Sequence, residues 1–73
     1  MMFTPEEIQT DPILRYLEPN PNLPENLANI SSDFAGLAVG YLSFIPRSAE
    51  RTMGFRKLLE AKDCFVRAAL DND

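Results

Sequence analysis

The 73 residues carry 7 lysines and arginines against 11 acids, a formal charge of −4, with one cysteine and no histidine. A chain this short makes one small domain whose lone core is marginal without a staple or a partner. The acidic balance argues against binding DNA or RNA duplexes through their phosphates. The single Cys64 excludes an internal disulfide, and without histidine there is neither a plausible zinc site nor the usual general base.

The chain opens with Thr4-Pro5-Glu6-Glu7 and Asp11-Pro12, each a capping residue followed by proline at the first helical position. This predicts a single turn near 5–9 and a short helix over 12–17. Glu18 to Pro24 (EPNPNLP) has three prolines and is expected to be an extended, stiff connector. A helix is predicted from Pro24 to about Phe44, with Leu27, Ile30, Phe34, Leu37, Ala38, Tyr41 and Ile45 forming an apolar stripe. Gly36 and Gly40 lie on its flank, where helix-interior glycine costs about 1 kcal/mol relative to alanine, and their spacing leaves a smooth surface for a second backbone.

Pro46 ends that helix, and Ile45-Pro46-Arg47-Ser48 is short enough to reverse the chain. Ser48 is the N-cap candidate for a second long helix reaching Leu70, followed by a frayed polar tail, Asp71-Asn72-Asp73. At 100° per residue, Gly54, Phe55, Leu58, Ala61, Phe65, Ala68 and Ala69 share its apolar face. The predicted fold class is all-α: one domain over 1–73, with an N-terminal arm (1–23) and an antiparallel two-helix hairpin (24–70) assembled into a homo-oligomer. No signal peptide or membrane-spanning stretch is visible, so a soluble, cytosolic protein is expected.

Charge divides unevenly along the chain. Residues 1–46 hold Arg15 against six acids, whereas 47–70 hold six bases against three. Arg51 is the anomaly, since it projects near the middle of the apolar face, one turn before Phe55. A cation there is either paired, with Glu50 or another acid close in the chain, or reserved for an anion, with Arg47 and Thr52 beside it as further donors. If it binds an anion, its loss should leave folding little affected, whereas if it is paired its loss should loosen the fold or the oligomer. Arg56 and Arg67 have i,i+4 partners in Glu60 and Asp63. Tyr16, next to Arg15, either docks on the hairpin or stacks on a nucleobase. Arg15, Tyr16, Arg47, Arg51, Thr52 and Arg56 are therefore the candidate ligand-binding residues. No catalytic residue, metal or cofactor is expected.

The block IPRSAERTMGFRKLLEAKDCFVRAAL from Ile45 resembles the helical hairpin of phage-encoded cyclic-oligonucleotide sponges, the anti-CBASS proteins and hairpin domains related to the anti-Thoeris sponges. The proline turn, Ser48, Glu50, Arg51-Thr52, Lys57-Leu58 and Glu60-Ala61 carry the resemblance. It implies a homo-oligomer, often a hexamer, that sequesters cyclic di- or trinucleotides in the host bacterial cytosol without cleaving them. Tyr16, Arg51 and Thr52 are the positions that match its base-stacking and phosphate-holding residues. The departure is on the first long helix, where family members can place a lysine; here Arg15 is the one base before Pro46, which points to a site built by Arg51 across a subunit interface. Two other classes stand beside this one: a helical adaptor docking a host protein through its apolar face, and a small transcriptional regulator, which the acidic balance and the lack of a recognisable helix-turn-helix weaken.

Overall fold

A computed structural model describes residues 2–71, so Asn72 and Asp73 of the expected tail lie outside the described residues, while Asp71 still belongs to the last helix. Four helices follow one another: α1 (Pro5–Thr10), a 3-10 helix (Pro12–Leu17), α2 (Glu25–Leu42) and α3 (Ala49–Asp71). Among the described residues there is no strand, and no helix is long and apolar enough to cross a membrane.

Local chemistry accounts for the boundaries. Thr4 and Glu7 form a capping box: Thr4 Oγ1 accepts from the Glu7 amide at 3.1 Å, and the Glu7 carboxylate accepts from the Thr4 amide at 2.8 Å. Ser48 caps α3, its hydroxyl oxygen accepting from the Arg51 amide at 3.0 Å. Asp11 differs. Its side chain makes no cap for the 3-10 helix, whose first turn relies instead on the Asp11 carbonyl accepting from the Leu14 amide. The connector also departs from expectation: it turns. Asn20 Oδ1 accepts from the Asn22 amide at 3.0 Å, a side chain standing in for a backbone turn, which overrides the extended preference of the flanking prolines.

The arm forms the core rather than decorating it. Phe3, Leu14 and Leu17 join Ala38 of α2 and Phe55 of α3 in one buried cluster, with Ile8, Ile13, Phe34, Leu42, Leu58 and Leu59 packed around it. The 3-10 helix touches both α2 and α3, which also contact each other. Glu18 fixes the start of the arm, its carboxylate accepting from the amides of Met2 at 2.7 Å and Phe3 at 3.3 Å.

This three-way packing covers most of both predicted faces and leaves part of each open. On α2 the predicted stripe is buried at Leu27 and Ala38 and partly covered at Ile30, Phe34 and, just beyond the helix, Ile45, while Leu37 and Tyr41 stand exposed and the small Ser31 and Ala35 are buried outside the stripe. On α3 Phe55, Leu58, Ala61 and Ala69 of the predicted face are covered, joined by Leu59, Lys62 and Val66, whereas Phe65 is 58% exposed although it stacks on Phe34 with centroids 6.0 Å apart. Each helix serves two neighbours, so neither buries the whole of the stripe that a single partner would select.

The weight of the arm gives a direct expectation. Phe3→Ala removes a side chain that is 1% exposed, and it should destabilise the fold by about 3–5 kcal/mol, the range for buried phenylalanine truncation. Thermal unfolding measured by circular dichroism checks this; a melting temperature within a few degrees of the parent would show that the arm docks without holding the fold.

Candidate functional site

The turn after α2 and the first turns of α3 face the junction between α1 and the 3-10 helix. Between them lies a concavity of roughly 450 Å³ lined by Thr10, Asp11, Pro12, Ile13, Tyr16, Arg47, Thr52 and Arg56. Four residues singled out from the sequence thus meet in one place. Thr52 and Arg56 are one turn apart on α3, Arg47 precedes the Ser48 cap, and Tyr16 comes from the 3-10 helix with 59% of its surface open. Arg15 is exposed on the same 3-10 helix but does not line the concavity.

Arg51 sits behind this surface. Its Nη2 donates to Asp11 Oδ2 at 2.6 Å and its Nη1 to the Ile45 carbonyl at 2.8 Å, and the Asp11 and Arg51 side chains are 1% and 10% exposed. The partner is neither Glu50 nor any acid close in the chain, but one forty residues away. The guanidinium also lies 5.8 Å from the centre of the Phe55 ring. Thr52 Oγ1 approaches the other Asp11 oxygen at 3.2 Å. One carboxylate therefore ties the arm, the interhelical turn and α3 together. It also neutralises Arg51, which holds no outward-facing fork for a ligand in this arrangement.

The free positive charge lies elsewhere. Among the described residues neither Arg47 nor Arg56 makes an ion pair. The expected Arg56–Glu60 and Asp63–Arg67 pairs do not form; Arg67 instead donates to the sulfur of exposed Cys64 at 3.3 Å. Exposed i,i+4 pairs gain only a few tenths of a kcal/mol, too little to hold a long side chain against its rotamer entropy. The concavity accordingly presents two unpaired guanidiniums, a hydroxyl and an open aromatic ring, donors suited to a phosphate and a planar base.

Lys62 belongs to this architecture and was not among the residues singled out from the sequence. Its ammonium, 14% exposed, donates at 2.6 Å to the carbonyl of Tyr16, one of the orphan acceptors at the end of the 3-10 helix. It pins the segment that carries the Tyr16 ring. A signal was available: Lys62 is seven residues after Phe55 and so on the same face, a second cation amid apolar positions.

A separate cleft of roughly 350 Å³ opens between α2 and α3. It is lined mainly by Tyr41, Ile45, Gly54, Phe55 and Leu58, with Ser48, Glu50 and Arg51 at its edge. Phe44, 70% exposed, projects beside it and meets the Tyr41 ring edge-on at 6.2 Å. A methyl group built on Gly36, Gly40 or Gly54 would meet nothing within 4 Å.

The chain matches no protein-family model, no curated protein and no solved structure.

The ion pair agrees with the paired alternative for Arg51, with a partner distant in the chain. Arg51→Ala leaves a buried carboxylate without its counter-charge, which costs about 3–5 kcal/mol in comparable buried pairs. The control, Arg67→Ala, removes an exposed contact and should shift stability by less than about 0.5 kcal/mol. Chemical denaturation of both variants checks the contrast, and similar midpoints would show that Asp11 finds water once Arg51 is gone.

Proposed function

We propose that this protein is a non-catalytic binding protein that sequesters cyclic di- or trinucleotides, with α2 and α3 forming an antiparallel hairpin that self-associates in a bacterial cytosol. One observation carries the reading: Tyr16, Arg47, Thr52 and Arg56 surround a single concavity in which both arginines lack an acidic partner among the described residues. An acidic protein that keeps two unneutralised guanidiniums beside an exposed ring has a local site for anionic, base-bearing ligands without a generally basic surface. The resemblance of the segment from Ile45 to the cyclic-oligonucleotide sponges points to the same ligand class.

The hairpin rests on residue pairing. Phe34 meets Phe65, and Tyr41 shares a cleft with Gly54 and Leu58, so contacts advance along α2 as they retreat along α3. Self-association rests on two considerations. Leu37 and Tyr41 of α2, with Phe44 just beyond its end, leave an apolar surface that the protomer does not cover. A cyclic dinucleotide also has two bases and two phosphates, whereas one concavity offers one aromatic ring, so concavities on two protomers match it better than one.

The same apolar surface supports a second reading, an adaptor that docks a host protein through Leu37, Tyr41 and Phe44. Calorimetry with a panel of cyclic di- and trinucleotides separates the two. Binding in the submicromolar range supports sequestration, and recovery of the ligand intact supports the absence of turnover. Silence across the panel favours the adaptor. Arg47→Ala and Arg56→Ala should each weaken binding about tenfold, the equivalent of one charge-assisted hydrogen bond near 1.5 kcal/mol, and leave the melting temperature unchanged.

The association has its own test. Gly40→Leu adds a side chain into open space on the protomer and replaces a poor helix former, so the protomer should be no less stable. If the glycine flank is the contact between copies, light scattering will give a smaller mass for this variant than for the parent. An unchanged mass moves the contact elsewhere.

A further inference from the structure

Behind the concavity, two donors compete for one carboxylate. Asp11 is 2% exposed, so its oxygens depend on protein partners. Oδ2 accepts from Arg51 Nη2 at 2.6 Å and Oδ1 from Thr52 Oγ1 at 3.2 Å. A guanidinium presents Nε and Nη2 along one edge, a fork that matches both oxygens of a carboxylate. Only half of that fork is used here, because Arg51 Nε is buried and has no hydrogen-bond partner. Thr52 takes the second oxygen, yet its hold is weak. The hydroxyl has one proton and two acceptors at 3.2 Å, Asp11 Oδ1 and the Ser48 carbonyl, and the residue is exposed on the wall of the concavity.

We propose that Thr52 is the ligand-responsive contact of the concavity: a phosphate oxygen takes its hydroxyl, and the released Asp11 carboxylate rotates to close on both Nε and Nη2 of Arg51. The inference rests on the phosphate-binding reading of this concavity. The exchange satisfies the orphan Nε and turns the Asp11 charge away from the arriving anion, so both changes favour the bound state. Arg51 acts in it as a positioning residue. It feels the ligand through Asp11, and the arm becomes more tightly held to α3 when the concavity is filled. By linkage, anything that tightens the arm raises affinity for the ligand by the same factor.

The Arg51 Nε–H signal in a nitrogen-15 proton correlation spectrum of the whole protein, assigned by its disappearance in Arg51→Lys, reads the exchange directly. Thr52→Val keeps the side-chain shape and removes the competing proton. Without any ligand, this variant should move the Nε–H resonance downfield and slow its exchange with water about tenfold, as one added hydrogen bond requires. In the parent protein, saturating 3′,3′-cyclic di-AMP or cyclic GMP–AMP should produce the same shift, and Thr52→Ser should behave like the parent. An unmoved resonance in Thr52→Val overturns the proposal, whatever binds. A cyclic dinucleotide that binds by calorimetry yet leaves Nε–H unmoved overturns the coupling and leaves the sequestration reading standing. A shift in Thr52→Val with no response to cyclic dinucleotides or inorganic phosphate overturns both the coupling and the phosphate reading.

Discussion

The structure depends on the ion pair between Asp11 and Arg51. Its two ends come from the arm and the last helix, and the Arg51 guanidinium also holds the Ile45 carbonyl of the turn. The arm, the interhelical turn and α3 therefore meet at one buried contact. The pair itself is not a large source of net stability, because desolvating two charges offsets most of their attraction. Its role is to define an arrangement: a buried acid with one matching cation accepts a single docking of the arm, where apolar contacts alone would tolerate several.

That matters in a chain of 73 residues. At the usual 0.05–0.15 kcal/mol per residue, such a domain has a total stability of roughly 4–11 kcal/mol. A single uncompensated buried charge or one missing core ring consumes much of it. The arm supplies three of the five fully buried core side chains and both the Glu18 clamp and the Asp11 carboxylate, so this short, proline-rich segment determines whether the two long helices hold a fixed relation. Lys62 adds a second cross-link to the same segment through the Tyr16 carbonyl.

Much of this was legible in the residues. Capping pairs, prolines and helical periodicity located all four helices to within a few positions, and the place of Arg51 on an apolar face marked it as a residue needing a partner. The partner was not legible. Asp11 stands before a proline, the same signature as Thr4, and local pattern cannot distinguish a carboxylate that caps its own helix from one that reaches forty residues ahead. The faces of α2 and α3 were legible only in part, for a related reason. Periodicity gives the direction of the mean apolar vector, which suits a helix with one neighbour. Here each helix divides its surface between the other helix and the arm, so small residues such as Ser31 and Ala35 are buried while Leu37 is not. For the concavity, residue type named Tyr16, Arg47, Thr52 and Arg56, and only the docking of the arm brought them together.

The Lys62 contact with Tyr16 carries a consequence for how the chain reaches its fold. Helical proteins usually fold fast because their contacts are local, but here the contacts that lock the arm join residues 40, 41 and 46 positions apart. Closing loops of that length adds an entropic barrier that a bare helical hairpin would not meet. During synthesis Phe3, Leu14 and Leu17 are made before α3, the helix that completes their cover. These apolar side chains stay uncovered until the segment containing Arg51 and Lys62 has emerged.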